Sequence, residues 1–303
     1  MKFIRKPVRR LWRKLMAIPI RHSDGSYWNL NQDLFRLVVR PARRLLRRHA
    51  DRRVDFLICG AQKSGTSAMD EALRRHPQVR MASQKEVHFF DDDSNFQSGA
   101  PDYSRYHAAF SAANHARVLG ESTPTYMFWR TAPERIFQYN AQMKLLVVLR
   151  NPIERAYSHW NMQRERGIEP LTFWDALQAE PERARRSLPH QNRSFSYIER
   201  GLYAGQIQRL WRFFPRRQTL FIRNEELATR PDETFLCVCR FLGLASPADV
   251  GFRRVHARAY ISRITAREHE YLRSIFEMEI DSLAKLLGWD CSAWLEPPVP
   301  CAT

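Results

Sequence analysis

Several features of secreted and membrane-spanning proteins are scarce in this sequence. Cysteine is one: five occur in 303 residues, Cys59, Cys237, Cys239, Cys291 and Cys301. Their odd number and scattered spacing argue against a disulfide framework and for a reducing compartment. Cys237-x-Cys239 lacks a second ligand pair, so no zinc site is expected, and no acidic cluster stands out as a metal site. Long apolar runs are missing as well. None approaches the roughly 20 residues that a membrane-crossing helix needs. Residues 16–20 are too short for the apolar stretch of a secretory leader. The expectation is a cytoplasmic protein without leader, membrane helix or internal repeat.

Negative charge is also in short supply. Lys and Arg number 49 against 32 Asp and Glu, a formal charge of +17. Residues 1–53 hold 16 of the basic residues and 3 of the acidic ones, a local balance of +13. The organisation read from this is a basic N-terminal arm, residues 1–50, followed by a mildly basic folded domain, residues 51–303. Within the arm, Arg9-Arg10, Arg13-Lys14, Arg43-Arg44 and Arg47-Arg48 are mixed with Leu11, Trp12, Leu15 and Met16. One reading is a solvated charge run. The other is peripheral contact with an anionic membrane, which the apolar neighbours favour over nucleic acid. A turn at 23–25 and a helix at 33–39 are expected inside the arm.

From residue 54 onward, strand and helix patterns alternate. Strands are expected at 54–59, 79–82, 117–119, 144–149 and 218–223. Helices are expected at 66–75, 131–139, 152–165, 203–214, 231–242 and 265–287. The apolar run at 144–149 is the clearest buried strand. Helix 152–165 has the clearest start, with Asn151 as cap, Pro152 in the first position and Glu154 placed for a capping box. Residues 91–116 read as loop and small helix, and residues 180–195, Arg-rich and proline-broken, as a mobile loop. The alternation predicts an α/β fold with a central parallel sheet flanked by helices.

Three segments carry chemistry. In Gly60-Ala-Gln-Lys-Ser-Gly-Thr-Ser67 an apolar strand feeds a glycine-bounded loop that opens a helix, an anion cradle built from backbone N–H groups and the helix dipole. Lys63 follows Gly60 by three and precedes Gly65 by two, whereas the ATP-type loop places lysine after its second glycine. Gln62, Lys63, Ser64, Gly65, Thr66 and Ser67 are the candidate phosphate contacts. The second segment runs from Arg150, at the end of the buried strand, to Ser158. Ligands in open α/β sheets sit outside the carboxyl ends of strands, so Arg150 and the lysine loop together imply a ligand with two separated phosphates. Pairing of Arg150 with Glu154 or Asp70 is the alternative. The third segment is Gln84-Lys-Glu-Val-His-Phe-Phe-Asp91, where Glu86 is placed to take a proton from an acceptor hydroxyl, with His88 as the alternative base or a locally bonded residue.

In this order the motifs resemble those of sulfotransferases that use 3′-phosphoadenosine 5′-phosphosulfate (PAPS), in the branch that includes the heparan-sulfate glucosaminyl enzymes and bacterial relatives. Glu121-Ser-Thr-Pro-Thr-Tyr126, Arg200-Gly-Leu-Tyr-Ala-Gly-Gln-Ile207 and the stretch from Phe214 to Glu226 add to the likeness, which spans roughly residues 54–245. The resemblance implies a P-loop-like three-layer fold, PAPS as donor, no metal, and in-line transfer of a sulfuryl group to a hydroxyl or amine. It gives Lys63 the leaving oxygen, the 62–67 backbone the 5′-phosphate, Arg150 and Ser158 the 3′-phosphate, and Glu86 the proton. The acceptor it implies is a carbohydrate or glycolipid; Trp129-Arg130 and Arg164 to Arg166 are candidate lining for it, with an ordinary surface as the alternative.

One departure stands out. Beyond residue 245 that branch carries a cysteine-bridged loop over the nucleotide. Here a short basic stretch follows, in which Arg258 and Arg263 are the candidate substitutes and a solvated basic face is the alternative. Two other functions are weighed. A nucleotide-dependent kinase would need the lysine after the second glycine and an acidic magnesium ligand at a strand end. A non-enzymatic membrane- or RNA-binding protein would rely on the basic arm.

Overall fold

The computed structural model describes residues 52–97, 99–110, 116–246 and 262–296, together with the backbone of two short strands in the arm. The chain divides into two units, Met1–Arg52 and Arg53–Thr303. In the first, Ile20–Arg21 pairs antiparallel with Tyr27–Trp28. The turn at 23–25 and the helix at 33–39 lie outside the described residues.

The second unit is built on five parallel strands. They are β1 (Phe56–Gly60), β2 (Val79–Met81), β3 (Val118–Ser122), β4 (Lys144–Leu149) and β5 (Thr219–Arg223), in the spatial order β2-β3-β1-β4-β5. The strands and parallel topology expected from the alternation are present. Around them lie α1 (Thr66–Arg75), α2 (Tyr103–His107), α3 (Ala132–Tyr139), α4 (Pro152–Glu165), α5 (Phe173–Ser187), α6 (Tyr203–Trp211), α7 (Asn224–Thr229), α8 (Pro231–Leu242) and α9 (Ala266–Leu287).

Successive strand side chains point to opposite faces, and the core divides accordingly. Phe56, Ile58, Leu146 and Val148 pack with Met69 and Leu73 of α1 and Phe235, Val238 and Leu242 of α8. Leu57, Cys59, Leu145, Val147 and Leu149 pack on the other face with Ile136 of α3, Ile153 and Trp160 of α4, Ile207 of α6 and Phe276 of α9. The result is the three-layer, P-loop-like arrangement. Both faces of β4 are covered, which is why its sequence reads as an uninterrupted apolar run. Where β3 passes β1, Gly120 lies opposite Phe56. A Cβ on Gly120 would stand 2.1 Å from the Phe56 ring.

Two local expectations are corrected. Residues 180–187 are not loop but the second half of α5, in which Pro181 is embedded. Phe173, Ala176, Leu177 and Glu180 form its buried stripe, and Thr172 caps its start. Burial of that stripe outweighs the roughly 3 kcal/mol that an interior proline costs a helix. At α4, Asn151 does cap, accepting from the Ile153 N–H at 3.0 Å. Glu154, however, does not complete a capping box. Its carboxylate accepts from Arg150 Nε and Nη2 at 2.9 and 2.7 Å.

Candidate active site

The order β2-β3-β1-β4-β5 places a topological switch at the carboxyl end of β1, with β3 on one side and β4 on the other. Ligands settle at such a crevice. The segments singled out in the sequence lead from these strand ends. Residues 60–67 leave β1, Arg150 leaves β4, and the Glu86 segment follows β2 and runs beside the end of β3.

The β1 loop is fixed from both sides. The Ala61 N–H donates to the Val148 carbonyl at 2.7 Å, and the Thr123 N–H beyond β3 donates to the Ile58 carbonyl at 3.1 Å. Lys63 has φ 70° and Gly65 φ 98°, so the loop turns through left-handed backbone twice before α1 begins. A Cβ at Gly65 would lie 2.7 Å from Asn224 Nδ2, whose N–H donates to the Ser64 carbonyl at 2.9 Å. α1 starts with no side-chain cap and no acidic residue in its first turn. A helix opening left in this state suits an anion.

Behind the loop lies buried positive charge. Arg155 and Arg200 are 0% and 3% exposed, and neither forms an ion pair among the described residues. Among the described residues, Arg155 Nε and Nη1 and Arg200 Nη1 have no hydrogen-bond partner. Burial, aided by Arg155, pulls the Arg200 guanidinium down to about 9. Burial also holds the His159 imidazolium well below its ordinary value, with Arg155, Arg200 and Lys63 adding to the effect. An electropositive wall of this kind matches a multiply charged anion at the loop. On the β4 side, Arg150 is held by Glu154, and its carbonyl accepts from the Tyr203 hydroxyl at 2.9 Å. Asp70, the other partner considered for Arg150, binds Arg74 at 2.6 Å. Ser158 is buried on α4.

The Glu86 segment is a chain of alternating charge. The Glu86 N–H donates to the Ser122 carbonyl at 2.8 Å, tying it to the end of β3. Its carboxylate meets Lys85 Nζ at 2.9 Å and His88 Nε2 at 3.5 Å. His88 Nδ1 lies 2.8 Å from Asp91 Oδ2, which also meets Arg193 Nη1 at 2.6 Å. The His88 contact, with help from Lys85 and against burial, lowers the Glu86 carboxyl to about 2. Asp91 and then Glu86 raise His88 to about 9. Glu86 and His88 both have left-handed backbone, φ 63° and 55°.

Glu121, quoted in the sequence motif without a role, underpins this segment. It is fully buried, and burial raises its carboxyl to about 7. It accepts from the Thr123, Tyr106 and Tyr126 hydroxyls. Tyr126 in turn accepts from the Phe89 N–H at 3.0 Å, so a buried carboxylate braces the loop carrying Glu86 and His88. Asp91, Arg193 and Asn224 were missed as well. Asp91 stood inside a quoted motif, whereas Arg193 and Asn224 act 102 and 160 residues from their partners and leave no local signal.

The proposed acceptor lining fares differently. Trp129 is buried, with Arg193 over its ring at 4.2 Å and His190 stacked at 6.4 Å, whereas Arg130 is exposed. Arg164 is spent on the Glu169 and Pro170 carbonyls. Arg263 is exposed, and Arg258 lies outside the described residues. Among the described residues no group of three or more His, Cys, Asp or Glu side chains is placed to hold a metal ion.

The description "Sulfotransferase domain" matches residues 53–269. Heparan sulfate glucosamine 3-O-sulfotransferase 5 of Mus musculus is 31% identical over 191 residues, which cover 62% of this chain and 53% of that protein. Heparan sulfate glucosamine 3-O-sulfotransferase 3B1 of Homo sapiens is 34% identical over 195 residues, covering 62% and 45%. The chain thus spans about half the length of the curated relatives it matches. A solved sulfotransferase from Alicyclobacillus acidocaldarius has a TM-score of 0.70 and 29% identity, covering 81% of this chain and 100% of that one. Taken with the switch-point crevice and its loops, these matches establish that the chain belongs to the sulfotransferase domain family.

Proposed function

We propose that this protein transfers a sulfuryl group from PAPS to a hydroxyl or amine of a carbohydrate or glycolipid acceptor. One observation carries the reading. Lys63, Glu86 and His88 are the non-glycine residues with positive φ among those described, and all three were candidates on chemical grounds alone. Such backbone costs about 1–3 kcal/mol per residue and gathers at functional sites. Family membership sets the kinase reading aside.

When bound, PAPS supplies a sulfuryl group whose bond to the 5′-phosphate oxygen breaks as a bond to the acceptor oxygen or nitrogen forms. The chain's part is positioning and electrostatics, which dominate in loose transfers of this kind. Lys63 neutralises charge developing on the leaving oxygen. The Gln62–Ser67 backbone holds the 5′-phosphate against the uncapped start of α1, with the Ser64, Thr66 and Ser67 hydroxyls at hand. Arg150 and Ser158 hold the 3′-phosphate, Arg150 exchanging Glu154 for it. Arg263, and Arg258 by sequence alone, are left as candidate cover for the nucleotide.

Glu86 takes the acceptor proton. With its carboxyl near 2, it is ionised at every physiological pH, though its basic strength is reduced. His88, raised to about 9, carries protons on both ring nitrogens at neutral pH. It orients Glu86 and has no lone pair with which to act as the base.

The carbohydrate acceptor is supported by relatives named for heparan sulfate glucosamine. A cytoplasmic setting is supported by the cysteine pattern, and membrane-peripheral contact by the charge of residues 1–50. Among the described residues no helix is long and apolar enough to cross a membrane. The deciding experiment compares binding of adenosine 3′,5′-bisphosphate with ADP and ATP. Preference for the bisphosphate is expected, and preference for ATP would sink the reading. A panel of heparan sulfate, free hexosamines and glycolipids with labelled PAPS then tests the acceptor.

A further inference from the structure

We propose that Arg193 is a positioning residue for the Glu86–His88 pair, acting through Asp91. The proposal rests on the reading of Glu86 as the proton acceptor. Arg193 reaches this region from the segment that follows α5, 102 residues beyond Asp91. Asn192 shapes the turn that presents it, accepting from the Ser194 and Phe195 N–H groups at 3.0 and 2.8 Å. The guanidinium lies 4.2 Å above the Trp129 ring. It grips Asp91 twice, at the carboxylate (2.6 Å) and at the backbone carbonyl.

Asp91 has few other holds. Its side chain is 0% exposed, so water does not compensate it. Among the described residues, Oδ1 has no hydrogen-bond partner. Oδ2 is shared between Arg193 and His88, and the orientation of the carboxylate therefore depends on those two cations. Burial pushes the Asp91 carboxyl up, but the His88 and Arg193 contacts outweigh it and keep it ionised. His88 in turn faces Glu86 with its other nitrogen, 3.5 Å away. The sequence Arg193, Asp91, His88, Glu86 is a relay of alternating charge. Release at the Arg193 end leaves Asp91 free to turn and His88 free to leave Glu86. A carboxylate misplaced by even 1 Å loses much of its catalytic advantage.

A purely structural role would need only the stacking on Trp129. Arg193→Met keeps an apolar stem over that ring and removes the fork. Arg193→Lys keeps the charge but cannot make both Asp91 contacts from one planar group. The readouts are release of inorganic sulfate from PAPS with water as acceptor, transfer to whichever acceptor the panel identifies, and the affinity for adenosine 3′,5′-bisphosphate. For Arg193→Met we expect kcat to fall about tenfold or more, with nucleotide affinity and the KM for PAPS unchanged; for Arg193→Lys, an intermediate kcat. A wild-type kcat in Arg193→Met would overturn the proposal, as would a matching loss of nucleotide affinity. If that variant does not fold, a wild-type kcat in Arg193→Lys overturns it and an intermediate one supports it. Glu86→Gln, run in parallel, separates the two levels: normal turnover there removes the base assignment whatever Arg193 does.

Discussion

Asn224 and Ser64 lie 160 residues apart and meet through one hydrogen bond of 2.9 Å, from the Asn224 amide to the Ser64 carbonyl. The bond turns that carbonyl towards α7, which keeps an acceptor out of the proposed anion cradle. Asn224→Ala is expected to weaken binding of adenosine 3′,5′-bisphosphate about 5- to 10-fold, the worth of roughly one hydrogen bond. Isothermal calorimetry measures this directly. An unchanged affinity would mean that the loop holds its shape without α7.

Lys63, Glu86 and Arg150 should separate kinetically. Lys63→Ala is expected to lower kcat about 10²- to 10³-fold, as the loss of one preorganised charge does at a developing anion. Glu86→Gln should cost about 10²- to 10⁴-fold in kcat with little change in nucleotide affinity. Arg150→Ala should act mainly on the KM for PAPS. Steady-state kinetics with varied PAPS distinguishes these patterns, and an Arg150→Ala variant with normal KM would dissociate that arginine from the 3′-phosphate.

The Lys85–Glu86–His88–Asp91 chain gives stability a defined pH window. Glu86, lowered from 4.5 to about 2, contributes above its unfolded value, and the contribution fades as pH falls through 2. His88, raised from 6.5 to about 9, contributes fully below its unfolded value and loses the contribution as pH rises through 9. The difference in Tm between wild type and His88→Asn should be largest near pH 5–6 and should close by about pH 10. A difference that is flat across that range would show that His88 does not titrate as the geometry requires.

Gly120 is set by space and not by backbone freedom. Gly120→Ala forces a methyl into the Phe56 ring where β3 pairs with β1 and is expected to cost about 1–3 kcal/mol of stability. Adding Phe56→Leu should recover part of it. Urea denaturation of the single and double variants measures the coupling, and additive losses would mean that the two side chains do not compete for the same volume.

Local signals read from the chain were reliable where the physics is local. The Lys144–Leu149 run and the Asn151-Pro152 start of α4 are set by nearest neighbours, and their bounds match the expectation. The 60–67 loop was legible for the same reason. α5 was misread because Pro181 and the arginines spoke louder than the stripe Phe173, Ala176, Leu177, Glu180, whose value comes from what it packs against. Arg193, Asn224 and the Glu121 hydroxyl cluster were illegible in another way. Each works across a distance in sequence that only folding closes, and no spacing rule records it. Trp129 is candidate acceptor lining from its place beside Arg130 alone, and nothing in the sequence signals that Arg193 and His190 lie against its ring.

The left-handed backbone at Lys63, Glu86 and His88 sets endurance against chemistry. At each of these positions glycine would sit more comfortably than the residue present, because it has no Cβ to crowd the preceding carbonyl. At Glu86 and His88 the ion pairs with Lys85 and Asp91 offset that gain, so a population of variants selected for heat tolerance alone would drift towards glycine at Lys63 first and lose the proposed sulfuryl transfer as it did so. A thermostability screen run without any activity assay would therefore enrich glycine at position 63, a place where the hardier protein is expected to be the silent one.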